Sequence, residues 1–220
     1  KRIESYLNDK YAGLKEVIEK QYRKTKPEEI YTKLLVGHVL KHHCKLSDDN
    51  DIFSHITDGR CDKGLDGIYF DSTSRKLTLI QAKYTTRSKS TAISERDAGE
   101  FSNGVEELIS GRIFEDGYAN DKIVSLEDEI RRFMKEYDVS IELIIVTTSS
   151  RQVTKGAKQR IEKVFKDIHT LDSDRIIYMG LDEIYDSMKP AELLPGSDFD
   201  IDLLGAQAIS MPHLGYYGYA

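Results

Sequence analysis

Two stretches in the first half of the chain decide the fold. They are Asp62-Lys-Gly-Leu-Asp66-Gly-Ile-Tyr-Phe-Asp71 and Lys76-Leu-Thr-Leu-Ile-Gln81-Ala-Lys83-Tyr84. The residues from Asp71 to Lys76, Asp-Ser-Thr-Ser-Arg-Lys, have the composition of a turn. The pattern predicts strands over residues 66–71 and 76–84, joined as a symmetric antiparallel hairpin.

This symmetry determines which residues oppose one another in the hairpin. Opposed residue numbers sum to 147, as those of the turn-flanking pair 71 and 76 do, so Ile68 faces Leu79 and Asp66 faces Gln81. Because side chains alternate between the faces of a strand, these residues and Lys83 are expected on one face. The apolar pairs near the turn thus give way, at the far end, to a carboxylate, an amide and an amine.

Polar side chains at the end of an apolar ladder need a reason, because unpaired polar groups at a core edge cost free energy. A hard-cation site is one reason: the Asp66 carboxylate, the Gln81 amide oxygen and the Ala82 carbonyl are ligands that Mg²⁺ accepts. Mg²⁺ (or Mn²⁺) would acidify a water for attack on a phosphodiester, and Lys83 would neutralise the developing charge. A structural Asp–Lys pair at the strand end is the alternative, and spacing alone does not decide between them.

At these residues the sequence resembles a nuclease family. The run Gly64-x-Asp66-Gly, followed by Gln81-x-Lys83, is similar to the Mrr-like branch of the PD-(D/E)XK superfamily, where Gln often replaces the acidic residue before the Lys. Residues 58–69 and 80–84 also resemble the N-terminal region of AIPR (abortive infection phage resistance) proteins, which are bacterial. The resemblance is concentrated in residues 55–85.

The resemblance implies an α/β fold of the restriction-endonuclease-like type, with a mixed sheet flanked by helices. It also implies a metal-dependent endonuclease from a phage-defence protein that cuts DNA or RNA. Asp66 would bind the metal, Gln81 would occupy the (D/E) position, and Lys83 would be the catalytic lysine. The family often adds a Glu from the first core helix, for which Glu28 and Glu29 are candidates.

Gln81 also raises an alternative function. It removes one negative charge from the metal site, which should weaken metal binding. The second hypothesis is therefore a catalytically weakened nucleic-acid-binding or regulatory N-terminal module of a larger protein.

Hydrophobic periodicity predicts the other elements. Helical spacing covers residues 3–22, 93–110, 121–137 and 153–168, and another helix runs from a capping box at 25–28 to about residue 43. Residues 44–65 are interpreted as loop with one short strand at most. Strands are predicted at 141–148, covered on both faces, and at 175–179, then a short helix to 188 and strand-like stretches at 199–204 and 216–220. This order favours a mixed sheet between helices.

Three segments are expected along the chain. Residues 1–25 are predicted to be an N-terminal helical extension, 26–204 the nuclease-like domain, and 205–220 the start of a following region. The chain begins with Lys and ends in a Tyr/Gly run, so we interpret it as a fragment of a longer protein.

Charge is distributed unevenly although the net charge is −6. Residues 1–47 carry eleven basic and six acidic residues, 48–74 two and seven, and 75–96 six and one. An acidic segment between two basic ones suits a metal site beside a polyanion, although a solvated surface would give the same counts. We expect Lys83, Arg87 and Lys89 to approach nucleic-acid phosphates together with the basic N-terminal helices.

Composition indicates whether the chain crosses a membrane and in which compartment it is expected. The longest aliphatic run is far shorter than the ~20 residues that span a bilayer, which excludes a transmembrane helix and predicts no membrane partner. Two cysteines cannot form a disulfide framework, so a cytoplasmic location is expected, and the resemblance to AIPR proteins implies that the cell is bacterial. Self-association into a homo-oligomer stays open.

Overall fold

The computed structural model describes residues 2–22, 25–85, 93–115, 117, 119–135, 139–149, 153–168, 171–188, 209–211 and 216–218. The chain divides into two compact units, Lys1–Glu183 and Ile184–Ala220, and each is described by itself.

The first unit begins with four helices and then combines strands with further helices. The helices are α1 (Arg2–Lys10), α2 (Ala12–Gln21), α3 (Pro27–His42), α4 (Asp49–Ser54), α5 (Glu95–Ser110), α6 (Asp121–Ser125), α7 (Glu127–Met134), α8 (Lys155–Ile168) and α9 (Leu181–Ser187), which runs into the second unit. The strands are β1 (Gly67–Asp71), β2 (Lys76–Lys83), β3 (Ser140–Thr147) and β4 (Arg175–Met179). The second unit contains β5 (Ile209–Met211) paired antiparallel with β6 (Tyr216–Gly218).

The first unit is an α/β structure with a four-stranded mixed sheet in the order β1-β2-β3-β4. β1 and β2 are antiparallel, whereas β2, β3 and β4 run parallel. The predicted hairpin register is confirmed, because five pairs from Gly67–Ile80 to Asp71–Lys76 all sum to 147. All eight residues of β3 are buried, as expected for a strand covered on both faces.

A hydrophobic core lies on each face of the sheet. One core joins β1, β2 and β3 to α5, α7 and α8, and its buried members include Ile68, Leu79, Phe101, Val105, Ile130, Leu143, Ile145, Ala157 and Ile161. On the other face, α3 packs against β2 and β3, with α1, α2 and α4 around it. Gly67 approaches α3 so closely that a Cβ there would lie 2.6 Å from Val36 Cγ1. Helices thus flank both faces of the sheet.

Some helix predictions were wrong in detail. The helix predicted over 3–22 breaks at Tyr11, and the one over 121–137 breaks at Leu126. The predicted capping box does not form: Lys26 is the N-cap of α3 and makes no side-chain cap, and Pro27 supplies the first turn. Pro27 lacks one of the amides that a helix start leaves without a partner, and it already fixes a helical φ, so this helix begins without a side-chain cap.

The structure also differs from the prediction in the segment predicted as loop and near the C-terminus. Residues 44–65 contain the short helix α4, which begins because the Asp48 carboxylate accepts hydrogen bonds from the amides of Asn50 and Asp51. Six residues are too few to give a periodic signal. The predicted stretch 199–204 lies outside the described residues, and β5 was not predicted.

A buried ion cluster ties the middle of the sheet to α3. The Glu142 side chain of β3 is 1% exposed and lies 2.6 Å from His43 Nε2, just beyond α3. It also ion-pairs with Arg175 at the start of β4 and with Lys76 of β2, 3.8 Å away. Burial raises the pKa of Glu142, but the hydrogen bonds from His43 and Arg175 outweigh it and lower the pKa to about 2.

Replacing Glu142 with Gln should destabilise the domain. At pH 7 we expect the free energy of unfolding to fall by about 1.5–3 kcal/mol, the usual strength of hydrogen bonds to a charged group. Because the folded pKa lies below the usual value of 4.5, this contribution is full above that value and is lost as the pH falls toward about 2. Urea unfolding between pH 7 and pH 3 measures both effects.

Glu106→Gln is the matched control, because Glu106 pairs with Arg112 at an exposed site, 3.2 Å apart. Exposed pairs contribute about 0–1 kcal/mol, so its loss should be small. Equal losses in the two variants at pH 7, or a Glu142→Gln loss that is as large at pH 3 as at pH 7, would contradict the prediction.

Candidate metal centre and the strand segment beside it

Asp66 comes directly before β1 and is held through its backbone on both sides. Its amide donates to the Ile80 carbonyl at 2.9 Å, and its carbonyl accepts from the amides of Thr57 at 2.9 Å and Asp58 at 3.0 Å. Its carboxylate accepts from the Ala82 amide at 2.6 Å. The acidic group therefore lies against the backbone of the residue between Gln81 and Lys83.

Two more carboxylates join Asp66. Oxygens of Asp58, Asp62 and Asp66 all lie within 4.8 Å of one another, and the described residues contain no other such group of three His, Cys, Asp or Glu. We call these three residues the acidic cluster. Asp62 is fixed by the amides of Gly59 at 2.9 Å and Gly64 at 2.8 Å.

The loop that carries the acidic cluster adopts an unusual backbone conformation. Cys61 and Lys63, the neighbours of Asp62, have φ of 63° and 59°, in the left-handed region that non-glycine residues rarely adopt. Gly64 has φ of 74°, and a Cβ there would lie 2.7 Å from the Phe101 amide nitrogen of α5. Strain of this kind tends to persist where function requires a fixed geometry.

Burial and mutual repulsion change the acidity of the acidic cluster. The pKa of Asp66 is raised well above its usual range, first by burial and then by Asp58 and Asp62, while the Ala82 amide and Lys33 lower it in part. The pKa of Asp62 is also raised, mainly by burial. A divalent cation would relieve this repulsion.

Lys33 of α3 supplies the counter-charge to Asp58. It is 3% exposed, and its Nζ donates to Asp58 Oδ2 at 2.7 Å. The resemblance seen in the sequence implied Glu28 or Glu29 as the helix contribution to a metal site. Both are exposed in the first turn of α3, and it is Lys33, farther along α3, that contacts the acidic cluster.

Gln81 and Lys83 both turn toward the start of α5. Gln81 Nε2 donates to the Asp97 carbonyl at 3.2 Å, and Lys83 Nζ donates to Asp97 Oδ2 at 2.5 Å. The other polar atom of this side chain, Gln81 Oε1, is buried and has no hydrogen-bond partner among the described residues. The structural ion pair of Lys83 is thus made with Asp97, not with Asp66.

Sequence reasoning missed four residues of this region. Asp58 and Asp62 precede Asp66 at a regular spacing of four, a signal that could have been used. Asp97 follows Ser94 at capping-box spacing, which indicates a helix start but not a lysine partner. Lys33 sits in an otherwise apolar part of α3 and gives no signal of its own.

No family model, curated protein or solved structure matches this chain. Across the described residues, no helix is long and apolar enough to cross a membrane. Because a fold alone does not define a function, any assignment rests on the chemistry of these side chains.

The raised pKa of Asp66 predicts that its charge opposes folding. A carboxyl group whose folded pKa exceeds its unfolded pKa destabilises the native state once the pH passes the unfolded value. Asn retains an oxygen for the Ala82 amide, so metal-free Asp66→Asn should be more stable than wild type at pH 7 and should unfold at a higher urea concentration. The advantage should disappear below about pH 4, near the usual Asp pKa. Urea unfolding in EDTA measures it.

Asp167→Asn on the exposed face of α8 is the matched control and should change stability little at either pH. An Asp66→Asn protein that is less stable than wild type at pH 7 would contradict the prediction.

Proposed function

We propose that this chain is a metal-dependent nuclease domain of the PD-(D/E)XK type, with a restriction-endonuclease-like fold, from an AIPR-like bacterial phage-defence protein. The observation that carries the proposal is the hydrogen bond from the Ala82 amide to the Asp66 carboxylate. It joins the acidic cluster to the strand that bears Gln81 and Lys83.

The residues present fit a hard divalent cation. The acidic cluster offers carboxylate oxygens, and Lys33 neutralises only one of its three charges. Gln81 Oε1 adds a buried acceptor with no partner within the described structure. Carboxylate and amide oxygens are the ligands that Mg²⁺ and Mn²⁺ prefer. Asp58, Asp62 and Asp66 would therefore hold the ion, with Gln81 as a neutral fourth donor.

Bound Mg²⁺ or Mn²⁺ would supply a water of lowered pKa and positive charge for the transition state. Asp66 anchors this chemistry to β2 through its contact with the Ala82 amide. The Lys83 amine, two residues beyond Gln81, carries the positive charge that would meet the attacked phosphate. Asp97 holds that amine at the strand end.

A nucleic-acid-binding module without cleavage is the second candidate, and two observations favour it. Asp58 already has Lys33 as a partner at 2.7 Å, and Gln81 contributes no charge. Both features weaken the attraction for a cation relative to a site with a fourth carboxylate.

Cleavage assays separate the two candidates. With Mg²⁺ or Mn²⁺ we expect cleavage of DNA or RNA, and a loss of at least about 10²-fold in Asp66→Ala and in Lys83→Ala. Because such residues act as a unit, the double variant should be little worse than either single one. Gln81→Glu restores a carboxylate and should tighten Mn²⁺ binding while preserving or raising activity. Labelled single- and double-stranded DNA and RNA, with calorimetric Mn²⁺ titration, provide the measurements.

Asp128→Ala and Lys135→Ala are exposed controls at α7 and should cleave at the wild-type rate. Circular dichroism establishes that each variant folds. Absence of metal-dependent cleavage of every substrate, with Asp66→Ala binding Mn²⁺ like wild type, would eliminate the nuclease hypothesis and favour the binding module.

Both candidates predict salt-sensitive binding of nucleic acid. Lys83 and the basic N-terminal helices are expected to contact phosphates, together with Arg87 and Lys89, which lie outside the described residues. Each phosphate contact should add about 0.9 to the slope of log affinity against log salt for duplex DNA. Fluorescence anisotropy across a NaCl series measures this slope. Salt-independent binding, or none at low salt, would contradict both candidates and favour a regulatory role.

A further inference from the structure

Asp97 contacts both residues of the Gln-x-Lys pair, through two different groups. Its main-chain carbonyl accepts from Gln81 Nε2 at 3.2 Å, and its Oδ2 accepts from Lys83 Nζ at 2.5 Å. One residue of α5 thus fixes the orientation of both side chains.

The same carboxylate also forms the start of α5. Ser94 is the N-cap, its hydroxyl accepts from the Asp97 amide at 3.2 Å, and Asp97 Oδ2 accepts from the Ser94 amide at 3.0 Å. The Ser94 hydroxyl also donates to Oδ2 at 2.8 Å. The Oδ2 atom therefore serves the capping box and Lys83 together, which ties the position of Lys83 to the first turn of α5.

Helix capping does not account for Lys83 at this place. The N-terminus of a helix carries partial positive charge, so an ammonium group beside it is unfavourable unless a carboxylate intervenes. A capping box is complete with Ser94 and Asp97 alone and needs no lysine. The pKa of Asp97 is accordingly lowered: burial raises it, but hydrogen bonds from Lys83 and Ser94 outweigh that effect.

We propose that Asp97 is a positioning residue for the nuclease site, which holds the Lys83 amine and turns Gln81 so that its Oε1 is free for the cation. This inference rests on the proposed function. Loss of the carboxylate leaves Lys83 beside a helix N-terminus with no anion, and its amine then no longer keeps one position. The effect falls on the chemical step and not on substrate binding.

Steady-state cleavage by the full chain, with Mn²⁺ and the best substrate of the panel above, tests the proposal. Asp97→Asn keeps an oxygen for the Ser94 amide but loses the charge, and its kcat should fall about 10- to 100-fold, the usual cost of losing a residue that orients an active-site group. KM should stay at the wild-type value. Asp97→Glu retains the charge and suits a capping box, so it should recover much of the lost kcat.

Ser94→Ala is the matched control, because it removes the cap hydroxyl of the same helix and leaves Asp97 in place. It should lower the melting temperature and reduce kcat much less than Asp97→Asn does, because Asp97 Oδ2 keeps its charge and its bonds to Lys83 and to the Ser94 amide. In the Lys83→Met background, Asp97→Asn should have no further effect, since the two residues act through each other.

The outcomes separate the failure of this inference from failure of the proposed function. If wild type cleaves and Asp97→Asn has the same kcat, the positioning role is wrong and the nuclease remains. Equal kcat losses in Ser94→Ala and Asp97→Asn would mean that Asp97 acts only as part of the helix cap, and the positioning role would be wrong. If wild type cleaves no substrate, the proposed function fails and the positioning role with it.

Discussion

The hydrogen bond between the Ala82 amide and the Asp66 carboxylate is the constraint on which the described site depends. A buried carboxylate is costly unless it is hydrogen-bonded, and here the partner is a backbone group that cannot rotate away. The bond requires the hairpin register, because only that register brings residue 66 beside residues 81 and 82. The loop of Asp58 and Asp62 folds back over the same residue, because the amide of Asp58 donates to the Asp66 carbonyl.

This constraint concentrates charge in one place. The carboxylates of Asp58, Asp62 and Asp66 lie close together. Lys33 of α3 forms an ion pair with Asp58 and so offsets one negative charge. Lys122 of α6 lies close enough to be affected: burial, and then repulsion from Lys33, lower its pKa to about 8, although Asp58 opposes the change. Groups whose pKa values are displaced by burial and by one another are typical of functional sites, because structure alone would favour apolar packing there.

The hairpin could be predicted from the sequence because its contacts are local. A turn of known composition and two alternating strands fix the pairing of Ile68 with Leu79 without any other part of the chain. The acidic cluster could not be predicted, because Asp58 and Asp62 reach Asp66 through a loop with left-handed backbone at Cys61 and Lys63, and that path depends on packing against α5. Asp97 and Lys33 approach from helices distant in sequence, and periodicity identifies such helices but not their contacts. The sequence therefore places Asp66 close to Gln81 and Lys83 through the hairpin register, whereas the residues that surround them could not be predicted.

Two buried carboxylates lie beside β2, and their charges have opposite effects on the stability of the fold. Glu142 lies beside Thr78 of β2, and Asp66 lies beside Ala82, four residues farther along that strand. Glu142 is surrounded by His43, Arg175 and Lys76, so its pKa falls to about 2 and its charge stabilises the fold. The neighbours of Asp66 are mainly other carboxylates, so its pKa rises and its charge opposes the fold. Glu142 thus has cationic side chains around it, whereas Asp66 has one backbone hydrogen bond and faces like charge. A bound cation would supply the opposite charge that Asp66 lacks and would reverse its unfavourable contribution.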